Sequence, residues 1–356
     1  MSEGERTLRV LVVDDSAYNR RTISELLAKD PGVEVVGKAQ DGNEALRLVS
    51  ELEPDLITLD LEMPRMDGFT FLRLLMARRP TPVIVVSGYS AKENVFRALE
   101  LGALDFVAKP TRTVTSDLER IGAELSEKVA MVRQLAPAAL ATSQRRPKRA
   151  SGAFALDEPS SEPLELPPRH IIVIGASTGG PTALVEVFRK LPNAAPAAVV
   201  VAQHMPERFT QTFAERLDRL GRFRVSEAKD GQPLVAGGAL ICPGGRCAEV
   251  RKVRRGWEIA IKTPRPSDRY IPSVDRLFES AAVAAAERVT AVVLTGMGSD
   301  GAQGVQAIKA EGGRIIAESP DTAVIYGMPG AAVRTGSVDE ILALPLIGER
   351  LALLMQ

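Results

Sequence analysis

The stretch Ile171–Pro181, IIVIGASTGGP, constrains this chain more than any other. The consecutive apolar residues Ile171 to Ile174 have the pattern of a strand buried on both faces, as in a parallel sheet. Gly175 breaks the run, Ser177 and Thr178 follow, and after Gly179 and Gly180 a helix can begin at Pro181. A strand that turns tightly into a helix belongs to an open α/β sheet. Such sheets keep their chemistry at the carboxyl ends of the strands. The helix dipole and its N–H groups favour developing negative charge there. Ser177 is therefore a candidate nucleophile. Three other readings compete. A dinucleotide fingerprint needs glycine where Ser177 stands and an acidic residue after the next strand, and Ala198–Ala202 runs instead into Gln203-His204-Met205. A P-loop needs Gly-Lys-Ser/Thr, which is absent here. A purely structural strand-turn-helix stays open on this stretch alone.

Composition narrows the class. A length of 356 residues suits two or three domains with ample core. Lysine plus arginine and aspartate plus glutamate number 45 each, so no global basic field argues for nucleic acid. The polar start MSEGERTLRV does not read as a signal peptide, and no apolar run is long enough to span a bilayer. The expectation is a cytoplasmic protein without membrane insertion. Cys242 and Cys247 form no disulfide framework and no metal-ligand pattern, and read as reduced packing residues.

Along the chain, residues 7–135 alternate strand-like and helical runs. Strand candidates are Leu8–Val13, Val33–Ala39, Leu56–Leu59, Val83–Val86 and Asp105–Val107, with helices beginning near Ala17, Asn43, Phe69, Ala91 and Val114. Five βα units in succession imply a parallel sheet covered on both faces. Residues 136–169 are rich in alanine, proline and serine, include RRPKR at 145–149, and read as a linker. A second α/β region covers 170–356. Its buried strands are Ile171–Ile174, Ala198–Ala202, Ala291–Leu294 and Arg314–Ala317, and its helices lie at 181–190, 209–220, 273–287, 302–311 and 340–354. Ala239–Ile241, Ala248–Lys252 and Trp257–Lys262 are short and alternating, which suggests a small hairpin insertion. The fold class is α/β, with two doubly wound parallel-sheet domains: a flavodoxin-like one, then a Rossmann-like one carrying the hairpin.

In the first domain, strand one ends in Asp14-Asp15-Ser16 and strand three in Asp60. A doubly wound sheet brings both ends to one edge, so three carboxylates converge. They repel unless a cation neutralises them, and a hard dication such as magnesium suits oxygen ligands. Strand four contributes Ser87 and strand five Lys109. Acid cluster, metal, hydroxyl and lysine together make a phosphoryl-acceptor site. The motifs LVVDDS, DLEMPRMDG and DFVAKP make residues 7–130 resemble the receiver domain of two-component response regulators. The resemblance implies phosphorylation of Asp60 by a histidine kinase. It implies Mg2+ held by Asp15, Asp60 and the Glu62 backbone carbonyl, with Asp14 acting through water. Ser87 and Lys109 would hold phosphoryl oxygens, and Phe106 stands at the family's switch aromatic.

In the second domain, a nucleophilic serine needs a base and an orienting acid. Of the two histidines, His170 precedes the strand, at the wrong edge, whereas His204 follows the neighbouring strand at the edge of Ser177. The loop Thr295-Gly296-Met297-Gly298-Ser299-Asp300-Gly301 follows another strand, and Asp300 is the carboxylate best placed to hold the imidazole. Gly296 and Gly298 would let backbone N–H groups approach an oxyanion. Ser299-Asp300 also fits a cap on the following helix. The order Ser–His–Asp differs from that of α/β-hydrolases.

The motifs GASTGGP, AQHMP and LTGMGSDG resemble the catalytic domain of the chemotaxis protein-glutamate methylesterases, over about residues 170–350. The resemblance implies a Ser177–His204–Asp300 triad without a cofactor, and Thr178 and the Met297 backbone near the oxyanion. It implies methyl-accepting chemotaxis receptors as substrates, glutamine deamidation beside ester hydrolysis, and an unphosphorylated receiver that restrains the enzyme. TPRPSDRYIPSVDRLFES, 263–280, resembles a stretch of the family's active-site face. Ser299 replaces an expected asparagine, and Cys247 an expected polar residue.

Overall fold

Leu8–Val13, all apolar except Arg9, forms β1, and Val10 to Val13 are almost wholly buried. The computed structural model describes residues 7–88, 92–109, 115–132, 166–192, 195–221 and 223–355. Most of the expected linker at 136–169, with its RRPKR run, lies outside them, as do Ala91 and Val114. The chain divides into two compact units, Met1–Leu140 and Ala141–Gln356.

In the first unit, β1 is followed by α1 (Ala17–Leu27), β2 (Val33–Ala39), α2 (Gly42–Leu52), β3 (Leu56–Leu59), α3 (Gly68–Arg78), β4 (Val83–Ser87), α4 (Lys92–Glu100), β5 (Asp105–Ala108) and α5 (Thr115–Met131). The strands are parallel, in the order β2-β1-β3-β4-β5. That is the flavodoxin-like order, and its switch point lies between β1 and β3. Side chains start the helices after these strands: Ser16 accepts from Asn19 N, and Asp41 from Asn43 N and Glu44 N. Val10, Val12, Ile84 and Val107 pack against Ile23 and Leu27 of α1 and Leu125 and Val129 of α5.

The second unit runs β6 (His170–Ala176), α6 (Gly180–Lys190), β7 (Ala197–Gln203), α7 (Phe209–Asp218), β8 (Arg224–Glu227), β9 (Gln232–Pro233), β10 (Gly238–Ile241), β11 (Cys247–Val253) and β12 (Gly256–Lys262). It continues with α8 (Val274–Ala285), β13 (Val289–Val293), α9 (Ala302–Ala310), β14 (Arg314–Glu318), α10 (Gly327–Arg334), β15 (Glu340–Leu342) and α11 (Leu344–Leu354). Seven parallel strands lie in the order β15-β14-β13-β6-β7-β10-β8. Strand order reverses between β6 and β13, which is where such a sheet opens a crevice.

Two expectations need correction. Ala239–Ile241 is not part of the hairpin insertion. It pairs with β7 and β8 inside the large sheet, and its three residues are buried. A run of three apolar residues does not distinguish a core strand from a hairpin strand. The small antiparallel sheet is instead β11-β12-β9, fixed to α8 by Trp257 Nε1 donating to Ala284 O (2.9 Å) and Val250 N donating to Ser280 Oγ (3.0 Å). The helix expected over 340–354 begins at Leu344. Residues Glu340–Leu342 pair with β14, and Pro345 sits in the first helical turn, where its missing N–H costs nothing. No described helix is long and apolar enough to cross a membrane.

Candidate phosphoacceptor pocket and candidate active site

The first unit gathers its polar residues at the switch point. Asp14, Asp15 and Asp60 each offer a carboxylate oxygen, all within 4.8 Å of one another. Asp14 and Asp60 are buried and Asp15 is exposed. Lys109 Nζ lies 2.6 Å from Asp60 Oδ2 and 3.0 Å from Asp14 Oδ2. Burial pushes the Asp60 carboxyl above its usual range, and the Asp14 charge adds to this, outweighing Lys109. Burial pulls the Lys109 ammonium down, but the two aspartates outweigh it and raise the net value. The pocket sets three carboxylates against one lysine. The donors are all hard oxygens, which is the chemistry a magnesium ion takes. Glu62 N donates to Asp60 Oδ1 (3.3 Å), so the Glu62 backbone lies against the same carboxylate.

Ser87 ends β4 and is buried; its carbonyl accepts Lys109 N at 2.8 Å. Phe106 is buried on β5, opposite Val85 of β4. Two features escaped sequence reasoning. Arg20 Nη1 donates to the carbonyls of Asp14 (2.7 Å) and Asp15 (2.9 Å) and ties α1 to the acidic turn. Lys128 Nζ on α5 bonds the Phe106 carbonyl (2.6 Å), pairs with Asp105 (3.0 Å) and stands 5.3 Å from the Phe106 ring centre. The only signal for Lys128 was its i,i+4 spacing from Glu124.

In the second unit, strand register brings serine and histidine together. Ala176 of β6 pairs with Gln203 of β7, so Ser177 and His204 are the next residues on adjacent strands. His204 N donates to Ala176 O (3.0 Å), and Ser177 N donates to Thr295 O (3.1 Å). The serine turn is thus tied to the strand ends on both sides. Ser177 and His204 are half-buried, Thr178 is buried, and Met297 is half-buried.

Asp300 is 3% exposed, and its Oδ2 accepts His204 Nε2 at 2.8 Å. The same carboxylate accepts Val274 N (2.8 Å) and Asp275 N (2.9 Å), at the first turn of α8. Ser299-Asp300 does not cap the helix that follows it; the Asp300 carboxylate instead accepts backbone N–H groups at the N-terminus of a different helix, α8. With Nε2 engaged by the carboxylate, Nδ1 is the other nitrogen of the His204 ring. Gly175 makes room for α8: a Cβ there would stand 2.3 Å from Val274 Cγ1.

The glycine loop differs from expectation at one point. Gly296 N donates to Ile325 O (3.1 Å) and is not an oxyanion donor. Gly296 serves close approach instead, since a Cβ there would meet Ser177 Cβ at 2.7 Å. Tyr270 escaped residue-level reading. Its ring stacks on His204, with centroids 5.2 Å apart and planes at 5°, and Arg269 lies 5.3 Å from the tyrosine ring centre on its own side. Glu318, at the end of β14, is fully buried and accepts Thr295 N at 2.8 Å. Burial pushes its carboxyl up to about 7. Cys242 and Cys247 are free and buried, and burial raises both thiols.

An acidic pocket with a lysine in one α/β unit, and Ser177, His204 and Asp300 at the strand ends of the next, fit one class, a response-regulator hydrolase. Comparison with known proteins bears this out. The CheB methylesterase family model matches residues 172–351, and that of the response regulator receiver domain matches residues 10–117. The chain is 52% identical over 350 residues to protein-glutamate methylesterase/protein-glutamine glutaminase 6 of Anaeromyxobacter dehalogenans (strain 2CP-C), covering 97% of this chain and 95% of the relative. It is 46% identical over 349 residues to enzyme 1 of the same name from Myxococcus xanthus (strain DK1622), with 98% and 97% covered. The crystal structure of the Thermotoga maritima CheB methylesterase catalytic domain aligns with a TM-score of 0.51 at 37% identity, over 52% of this chain and 98% of that one. The chain belongs to the protein-glutamate methylesterase/protein-glutamine glutaminase family, the chemotaxis response-regulator hydrolases.

Proposed function

We propose that this chain hydrolyses γ-glutamyl methyl esters on methyl-accepting chemotaxis receptors, in the cytoplasm, when Asp60 is phosphorylated. The observation that carries the chemistry is the 2.8 Å bond from His204 Nε2 to Asp300, made by a histidine next in register to Ser177. Ser177 Oγ attacks the ester carbonyl while His204 Nδ1 takes its proton. The imidazolium then gives its proton to the departing methoxide oxygen, which leaves as methanol, and Asp300 stabilises the charged ring. Thr178 and the Met297 backbone lie near the tetrahedral oxyanion, where one donor is worth about 3–4 kcal/mol. Water, deprotonated by the same histidine, hydrolyses the acyl-enzyme. A glutamine side chain on this path releases ammonia instead, which is deamidation. No cofactor is needed in this unit, taken as residues 170–356.

The receiver unit, taken as residues 7–135 ahead of a linker at 136–169, carries the regulatory step. Asp15, Asp60 and the Glu62 carbonyl would hold Mg2+, with Asp14 acting through water. The ion supplies charge neutralisation for the incoming phosphoryl group. Asp60 takes that group from a histidine kinase, and Ser87 and Lys109 receive its oxygens. Phe106 then repacks, and the added charge biases a two-state element toward the active enzyme. The hard oxygen donors and the uncompensated acid of the pocket support this reading.

Ser177→Ala is expected to abolish methanol release from membranes carrying methylated receptors, and to lose labelling by a fluorophosphonate. Near-normal turnover in that variant would sink the assignment.

A further inference from the structure

Gln203, the last residue of β7, is 1% exposed and pairs in register with Ala176, so it directly precedes His204 as Ala176 precedes Ser177. Its Nε2 donates to the carbonyl of Ser177 at 2.8 Å and to the carbonyl of His204 at 2.9 Å. Two acceptors at one end of a carboxamide settle which end is the NH2, so Oε1 is directed away from both. That oxygen is buried and has no hydrogen-bond partner. It rests against the first residue of α6: a Cβ on Gly180 would stand 2.1 Å from it.

A packing role alone does not account for this residue. An unpaired buried carbonyl is costly, and an apolar side chain of the same volume would avoid the cost. What the carboxamide provides is a single rigid link between the main chains of Ser177 and His204, made at the same end of the same strands. The Ser177 carbonyl is held a second time by Gly180 N at 2.8 Å. Asp300 is fixed separately, by α8. Of the three side chains that converge, only Ser177 and His204 have their separation governed from position 203. We infer that Gln203 is a positioning residue that locks the serine and histidine main chains together, and that Gly180 is glycine to admit its carboxamide. The inference rests on the reading of Ser177 as nucleophile and His204 as base.

The test uses the full-length chain and a fluorophosphonate, which reacts with an activated serine irrespective of the natural substrate. Saturation kinetics separate the maximal labelling rate from the half-saturating concentration. Gln203→Met, close in volume but without donors, is expected to lower the maximal rate about ten- to a hundredfold, the scale of a small misplacement of reacting groups. The half-saturating concentration stays unchanged, and the label remains on Ser177. Gly180→Ala pushes on the same carboxamide without altering its chemistry, and lowers the same rate. In a Gln203→Ala background Gly180→Ala is expected to cost clearly less, because only the contact with Ala176 Cβ (2.8 Å) then remains. Should Gln203→Met fail to fold, Gly180→Ala carries the test by itself. Labelling of the folded variants at the wild-type rate overturns the inference, as does an equal Gly180→Ala cost in both backgrounds. A wild-type chain that does not label overturns the nucleophile reading, and the inference with it.

Discussion

Glu318 behaves unlike a free carboxyl. It accepts Thr295 N at 2.8 Å and Thr322 Oγ1 at 3.0 Å. Burial nevertheless lifts its carboxyl from the ordinary 4.5 to about 7, with the Glu186 charge adding to the rise. An acid whose folded pKa exceeds its unfolded one stabilises the fold fully below about 4.5. That contribution is lost as pH rises through about 7. The gap corresponds to something on the order of 3 kcal/mol. Glu318→Gln keeps an acceptor for Thr295 N and cannot ionise, so it is expected to flatten the decline in stability between those two pH values. Denaturant unfolding of both proteins across that range checks it; parallel curves reject it. At the same scale, Tyr270→Ala removes the ring stacked on His204 and is expected to lower kcat, whereas Tyr270→Phe keeps the stack and most of the activity. Methanol-release kinetics of the pair decide whether the ring or the hydroxyl matters. Ser177, His204 and Asp300 were legible in the sequence because each follows an apolar strand, and strand ends share an edge. Gln203, Tyr270 and Glu318 were not, because their roles come from neighbours that only the fold supplies.

Among the elements, α8 does most to assemble the second unit's site. Its first turn holds Asp300, and Asp275 in that turn accepts Gly304 N of α9 at 2.8 Å. The next residue, Arg276, is 7% exposed and bridges Glu249 of β11 (2.5 Å) and Asp268 (2.7 Å), the latter in the loop that leads to Tyr270. A single buried guanidinium therefore ties the hairpin and the tyrosine loop to the helix that orients the acid. Arg276→Met removes the cation from Asp268 and leaves Glu249 with only the exposed Arg265 at 3.5 Å, and breaking buried pairs of this kind costs about 3–5 kcal/mol. Adding Glu249→Gln and Asp268→Asn to that variant is expected to restore much of the stability, because no charge is then left unpaired. Chemical denaturation of the single and triple variants reads the difference. The helix itself was visible in the sequence from its apolar spacing, and Ser273 begins it, accepting from Arg276 N. Elements without that signal were missed: β8 is an edge strand with alternating exposure, β9 has two residues, and β15 is short and only partly buried. Their pairing partners, not their composition, make them strands.

For the molecule as a whole, the two units carry separate parallel sheets and separate switch points. On the proposed reading, a charge change at Asp60 alters the rate at Ser177. The first unit is prepared for that change, since three carboxylates face one lysine and burial already disfavours the Asp60 charge. A dication relieves this repulsion, so Mg2+ is expected to stabilise the first unit, by about 2.7 kcal/mol when present at a hundred times its dissociation constant. Calorimetry of the full chain with and without Mg2+ measures it, and Asp14→Asn is expected to weaken the response. Phosphorylation adds charge where Mg2+ and Lys109 can meet it, and a small-molecule phosphodonor is expected to raise methanol release from the wild-type chain. Asp60→Asn removes the acceptor but leaves the Ser177, His204 and Asp300 geometry untouched. It is therefore expected to keep the basal rate and lose the stimulation. A variant that is still stimulated would move the phosphoacceptor away from Asp60. One that loses basal activity as well would mean that the receiver supports the hydrolase rather than restraining it.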